Sequence, residues 1–210
     1  MNIAPEEVVA HVERHIGRVA TVFHEIVSDD LHIDVHHVRS TLFRRYEVLV
    51  TTGMSAKPMA TPEDAKQFQF AEVLVLLPKG WPLAKADFDN ESSYWPIRLL
   101  KDLARFPHHA NTWLGFGHTV ANGDSEGDTT PYAPSTALCA SILLPSSTLG
   151  EKAWSFKSRS GATVHLWAAV PIYMSELKFK LEQGTDELLN LFDKCQITDR
   201  VNPTRLPSVE

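Results

Sequence analysis

The sequence predicts an α+β fold: an α/β sandwich whose mixed, largely antiparallel sheet is packed by helices. Three observations lead there. Helix-like and strand-like patterns intermix along all 210 residues, with no internal repeat, low-complexity tract or interdomain linker; such mixing belongs to one layered core. Residues 68–77 are apolar on both faces apart from Gln69 and Glu72, as in a central strand covered on both sides. Ile97, Leu99, Leu100, Leu103 and Ala104 form one wide apolar helix face, which needs a sheet to cover it.

The elements follow in order. Residues 5–16 read as an amphipathic helix: Pro5 suits the first position, Glu6 and Glu7 the positive end of the dipole, and Val9, Val12 and Ile16 the buried stripe. Residues 19–27 are rich in β-branched side chains and read as a strand, with a continued helix as the alternative; Asp29-Asp30 marks a turn. In 31–38, Leu31, Ile33 and Val35 alternate with His32, Asp34 and His36, the pattern of a strand with one wet face. Residues 44–52 form the next strand, ending at Gly53-Met54-Ser55. Residues 57–66 read as a loop or short helix, and 83–92 as a surface loop. Ser93 is the expected cap of the main helix, with Pro96 in its first turn and Pro107 as its stop.

Residues 111–120 read as a strand whose glycines, Gly115 and Gly117, bare one face to a ligand or another backbone. A long acidic loop spans 121–135. Two apolar strands, 136–144 and 163–170, and two short helices, 176–183 and 186–193, complete the domain. Gly184 separates those helices and Thr185 can cap the second. We expect a single domain over 1–195 and an extended C-terminal tail over 196–210.

Composition excludes several function classes. Hydrophobic residues make up 43% and charged residues 22%, enough for a core and unlike a disordered chain. The net charge is −6, and the basic residues form no stripe, so neither DNA nor RNA is an expected partner. No apolar run reaches the length of a membrane span, and the N-terminus lacks the signature of a signal peptide. Only two cysteines occur, Cys139 and Cys195, which fits a reducing compartment. A cytoplasmic location is therefore the expectation, with no membrane contact and no cofactor.

Candidate chemistry is sparse. His32-x-Asp34-x-His36 would place two imidazoles and a carboxylate on one strand face, the donor set of a transition-metal site and the basis of a metal-dependent hydrolase reading. No third histidine or base is marked beside it, so a polar face bonded to neighbouring strands is the plainer expectation. His11 and His15 share a helix face but are more simply solvated histidines near a helix C-terminus. Ser175-x-x-Lys178 matches a serine–lysine nucleophile pattern without its companion motifs. Gly115-x-Gly117 lacks the third glycine of a dinucleotide loop. Asp124, Glu126 and Asp128 lack calcium-loop spacing. Glu72, in a central strand, must be paired or raised in pKa; a structural partner is the expected answer. Trp81, Tyr94, Trp95, Phe106, Trp113 and Phe116 gather around the main helix, where they serve core and binding surface alike.

A family resemblance sharpens this picture. Tyr94-Trp95-Pro96-Ile97-Arg98-Leu99-Leu100-Lys101-Asp102-Leu103-Ala104-Arg105-Phe106, followed by Asn111-Thr112-Trp113-Leu114-Gly115-Phe116-Gly117-His118-Thr119, resembles the signature of the suppressor-of-fused domain family. The strand ending in Gly53-Met54-Ser55, the strand 72–81 after it, and Val170-Pro171-Ile172-Tyr173 with the closing helices agree in order. The resemblance implies a non-enzymatic α/β sandwich that binds protein. Animal members carry an additional C-terminal region and grip an extended peptide of a transcription factor partly by strand pairing. This chain is similar to the shorter bacterial version, for which a role as an immunity protein against polymorphic toxins is proposed; a regulatory adaptor that sequesters an endogenous peptide is the alternative. By motif, a tyrosine and an acid near the animal partner peptide fall on Phe106 and Gly117 here, so the aromatic remains and the acid does not. The resemblance thus implies a candidate protein-binding patch of Phe106, Trp113, Phe116, Gly117 and His118, and no catalytic residue.

Overall fold

Residues 3–25, 31–123 and 129–209 are described, by a computed structural model. Twelve regular elements follow in the order α1 (Pro5–His15), β1 (Val19–Phe23), β2 (Asp34–Val38), β3 (Tyr46–Thr52), β4 (Ala71–Pro78), α2 (Glu91–His109), β5 (Thr119–Ala121), β6 (Ala140–Leu144), β7 (Ser155–Lys157), β8 (Thr163–Ile172), α3 (Met174–Gln183) and α4 (Thr185–Lys194). The strands form one sheet in the order β1-β2-β3-β4-β8-β6-β5, with β7 paired to the start of β8. All pairings are antiparallel except β4 with β8, where Ala71 faces His165 and Leu74 faces Ala168. This is the expected α+β sandwich with a mixed, largely antiparallel sheet.

The run that is apolar on both faces became the central strand, and it shows why. Val73, Val75 and Leu77 of β4 point to the core under α2, while Leu74 and Leu76 point to the opposite core. On the first face α2 buries Trp95, Ile97, Leu100 and Leu103, each at 2% exposure or less. Burial of each such side chain is worth about 1.5–3 kcal/mol. On the second face lie Val8 and Val12 of α1, Leu177 of α3, and Leu188 and Phe192 of α4. The sheet is thus covered on both sides.

That cover corrects the expected wet face of 31–38. Strand β2 begins only at Asp34, and His36 and His37 are buried at 8% and 6% exposure. His37 Nε2 pairs with Glu47 on β3 at 3.0 Å. Burial alone would raise the Glu47 carboxyl, but His37 and the amides of Ser40 and Gly80 hold it down to about 2.

Three other expectations change. The strand read over 19–27 ends at Phe23, and the Asp29-Asp30 turn lies outside the described residues. The main helix starts earlier than Ser93 and passes Pro107: Asn90 Oδ1 accepts the Ser92 amide at 3.0 Å, and the helix continues to His109. A proline in the last turn deletes one amide without preventing two further helical residues. Ser93 is buried inside the helix, where its carbonyl accepts the indole N–H of Trp81 at 2.9 Å. The strand read over 111–120 shrinks to Thr119–Ala121. Before it the chain turns, with His118 N–H donating to the Gly115 carbonyl and Gly117 at φ +73°.

The segment after α4 runs back along the sheet. Arg200 bridges Leu76 in parallel, the Val201 amide donates to the Leu76 carbonyl at 2.8 Å, and Val201 is 4% exposed. Further on, Arg205 ion-pairs with Glu176 of α3.

Candidate functional site

The sheet ends at β5, and a groove lies beside that last strand. This groove has a volume of about 800 Å³. Its one wall is α2, which contributes Arg98, Leu99, Asp102, Leu103 and Phe106; the other is β5 with the turn after it, and Pro131–Thr136 close the end. Each wall follows from local sequence. The helix has already buried its wide apolar face, so its margin, Phe106 at 39% exposure, faces the groove. Strand β5 is short and pairs on one side with β6, through Thr119 with Ile142 and Ala121 with Ala140.

Arg98 ties the walls together. Its guanidinium reaches Glu91 at 2.6 Å, the Tyr132 carbonyl at 2.8 Å and Asn122 Oδ1 at 3.4 Å. Asn122 in turn donates to the Thr130 carbonyl at 2.8 Å. Tyr132 stacks on Trp95 with centroids 5.2 Å apart and shares a hydrogen bond with Ser141 Oγ at 2.7 Å; burial pushes its phenol well above the usual range. The groove is therefore a braced surface that mixes apolar Leu99, Leu103, Phe106 and Val120 with the charged Arg98, Glu91 and Asp102.

The residues of the candidate patch are placed as follows. Phe106 lines the groove. Trp113 and His118 touch, with ring centroids 4.4 Å apart, and Trp113 also stacks on Phe68 at 6.0 Å. Phe116 is 48% exposed. Gly117 is buried, and a Cβ there would sit 2.7 Å from Thr185 Oγ1 at the start of α4. Any side chain there would have to displace Thr185 and hold a left-handed backbone, which gives a steric reason for the glycine. Gly115 makes room for another neighbour, since a Cβ there would meet the Trp113 ring at 2.6 Å. The two glycines thus admit the chain's own side chains, where a bared strand face was expected.

The metal candidates divide. His32 Nε2 lies 3.0 Å from Asp34 Oδ1, but His36 turns inward, with Nε2 2.9 Å from Thr52 Oγ1 and Nδ1 without a hydrogen-bond partner. Burial pushes the His36 imidazole down, toward its neutral form. The third member of the cluster is His24, whose Nδ1 lies 3.0 Å from Asp34 Oδ2. Sequence reading missed it because position 24 meets position 34 only through the β1–β2 register, in which Phe23 faces Val35. Burial alone would raise the Asp34 carboxyl, but the Glu25 amide and the two imidazoles hold it below its usual value.

The remaining candidates have structural employment. His11 stacks on Phe156 at 4.9 Å and approaches the Ala153 carbonyl at 3.3 Å. Ser175 Oγ donates to the Val209 carbonyl at 3.1 Å. Asp124, Glu126 and Asp128 lie outside the described residues. Glu72 is wholly buried and, among the described residues, pairs with no cation: Oε1 accepts the Gly53 and Ser55 amides, both at 3.0 Å, and the Ser55 hydroxyl at 2.6 Å, while Oε2 lies 2.6 Å from Thr51 Oγ1. This cradle accounts for the Gly53-Met54-Ser55 turn. Gly53 sits at φ +112°, and a Cβ there would fall 2.0 Å from the His32 carbonyl oxygen.

The sequence model of the suppressor of fused protein family, SUFU, matches residues 29–206. The chain belongs to the suppressor-of-fused family. Solved structures share the fold of this suppressor-of-fused domain. A protein from Neisseria gonorrhoeae FA 1090 described as a SUFU homologue aligns at TM-score 0.70 and 17% identity, over 98% of this chain and 97% of that one. The crystal structure of a Sufu–Fu complex aligns at TM-score 0.64 and 13% identity, over 99% of this chain and 93% of that one. Drosophila Suppressor of Fused aligns at TM-score 0.66 and 13% identity, over 99% of this chain but 52% of its own. No curated protein matches the chain. Among the described residues no helix is long and apolar enough to cross a membrane.

Proposed function

We propose that this suppressor-of-fused domain is a non-enzymatic binder that holds an extended segment of a partner protein beside β5 and in the groove along α2. One observation carries the reading: the terminal strand of the sheet borders a braced groove that Phe106 lines. An extended peptide that adds to a sheet edge gains main-chain hydrogen bonds, and a neighbouring groove reads its side chains. Family membership supports the same reading, and the structure of similar fold determined as a Sufu–Fu complex is a complex with another protein. The net charge of −6 favours a basic partner.

The finer reading is an immunity protein that blocks a toxin domain in the cytoplasm. A regulatory adaptor would use the same groove, so the partner's identity separates the two. Co-expression with the product of an adjacent toxin-like gene tests it, combined with pull-down from the native cell. The wild-type chain should be recovered with the toxin and protect the cell. Phe106→Asp should weaken capture by at least about tenfold, as for loss of a buried aromatic anchor, while the melting temperature stays within a few degrees. Capture unchanged by Phe106→Asp removes the groove from the reading, and absence of protection removes the toxin.

A further inference from the structure

We propose that His24, His32 and Asp34 form a binding site for one divalent transition-metal ion of the zinc or nickel class, a clasp between the end of β1 and the start of β2. The site lies at the β1 end of the sheet, whereas the groove lies at the β5 end, so it is independent of the partner-binding reading.

Three features support it. The donor atoms His24 Nδ1, His32 Nε2 and an Asp34 oxygen all lie within 4.8 Å of one another, and each imidazole nitrogen is already 3.0 Å from the carboxylate. Ligands around a tetrahedral zinc ion stand roughly 3.3 Å apart, given metal–ligand bonds of about 2.0–2.1 Å. A small closure of the two imidazoles is therefore enough. The donor chemistry also fits: two imidazoles and one carboxylate suit transition ions better than calcium or magnesium, which prefer all-oxygen shells.

The third feature is the support behind the ligands. Asp34 Oδ1 accepts the Glu25 amide at 3.1 Å, and the Glu25 carboxylate accepts the Ile33 amide at 3.1 Å while pairing with Arg105 of α2. The carboxylate is thus aimed by a second layer of bonds that continues into the main helix, the kind of outer support that tunes metal sites. His24 and His32 are 70% and 54% exposed, so an ion can enter without unfolding and solvent can complete its shell. The ion would take the place of the protons between imidazole and carboxylate, so its affinity falls on acidification.

The test uses the full chain, without a histidine tag, stripped with a chelator. Titration calorimetry with zinc chloride and nickel chloride should give one ion per chain, and zinc should raise the melting temperature. His24→Gln and His32→Gln should each weaken binding by at least the roughly 10–100-fold that loss of an outer partner costs. The double variant should abolish both the heat and the thermal shift. Both histidines are exposed, so the melting temperatures in chelator should match wild type. Absence of heat and shift in wild type overturns the proposal. So does binding that survives the double variant, which would place the ion on other donors such as His11, His15 or Cys195.

Discussion

Glu72 and Glu176 are both wholly buried, and the protein houses them in opposite ways. Glu72 sits in the middle of the sheet, surrounded by two amides and two hydroxyls from the end of β3 and the turn after it, with no cation among the described residues. Glu176 sits in the first turn of α3, gripped by both terminal nitrogens of Arg205 at 2.6 Å, by the Tyr173 amide at 2.9 Å and by the Ser208 amide at 2.8 Å. Burial is the largest influence on both and favours the neutral acid. At Glu72 it wins, and the carboxyl is pushed up. At Glu176 the Arg205 guanidinium and the two amides reverse it, and the carboxyl is held down.

The difference teaches what each acid is for. A protonated Glu72 leaves no orphan: its hydroxyl can donate to Thr51 Oγ1, which passes a hydrogen bond to the Val73 carbonyl 3.2 Å away, while Oε1 keeps its three donors. It locks a local turn to a neighbouring strand without a buried charge. Glu176 is an anchor for a distant segment, because Arg205 and Ser208 arrive from the chain beyond α4.

The comparison breaks most sharply at Glu72. Glu72→Ala strands three donors at a wholly buried position in the middle of the sheet. An unmet buried donor costs about 1–3 kcal/mol, and a cavity adds to it, so the expected loss is about 4 kcal/mol. Urea denaturation should show it as a lower midpoint with an unchanged slope. A loss under about 1 kcal/mol would mean that water already serves the Gly53 and Ser55 donors.

Arg205→Ala comes next. Removing one partner of a buried ion pair costs about 3–5 kcal/mol when the other charge stays dry. Here Glu176 keeps the Tyr173 and Ser208 amides when the guanidinium is lost, so about 3 kcal/mol, the low end, is expected. Limited proteolysis should then cut after α4 faster than in wild type. Adding Glu176→Gln should recover part of the loss; a strictly additive double variant would show that the two residues do not act as a pair.

These two acids also mark what the sequence could tell. The central strand and the buried face of α2 were legible because burial leaves a local signal, an unbroken apolar run in one and a period of 3.6 in the other: Val73, Leu74, Val75 and Leu76 serve both cores, and Leu99, Leu100 and Leu103 share a face. The Gly53-Met54-Ser55 turn was legible as a motif, though its cause, the acceptor at Glu72, lies 17 residues from Ser55. Arg205 and His24 carried no such mark. Their partners Glu176 and Asp34 are found only once α3 and the β1–β2 register bring them close. The strand read over 111–120 failed for a related reason. Its glycines serve Trp113 and Thr185, contacts that no alternation of residue types encodes. Phe106 was marked as a candidate from sequence, but the groove it borders needs β5 and 130–136 folded against α2.

The smallest effect is also the most discriminating, because it asks only for a sign. A carboxyl whose folded-state pKa is raised contributes stability that is complete below its unfolded value, here 4.5, and is lost as pH climbs through the folded value. One whose folded pKa is depressed contributes stability above 4.5 that is lost as pH falls. Glu72→Gln keeps an acceptor for Gly53 and Ser55 and a donor for Thr51, so at mildly acid pH it should lie within about 1 kcal/mol of wild type. As the pH climbs above 4.5 it should then gain on wild type, since the unfolded wild-type chain ionises this carboxyl while the folded one resists. Glu176→Gln should do the reverse, lying below wild type at neutral pH and closing the gap in acid as the wild-type Arg205 pair loses its charge. Parallel denaturation midpoints taken on both sides of pH 4.5 decide it. A Glu72→Gln curve that falls behind wild type with rising pH would mean that the hydroxyl and amide cradle alone holds an anion, and that the two glutamates differ in their partners but not in their charge.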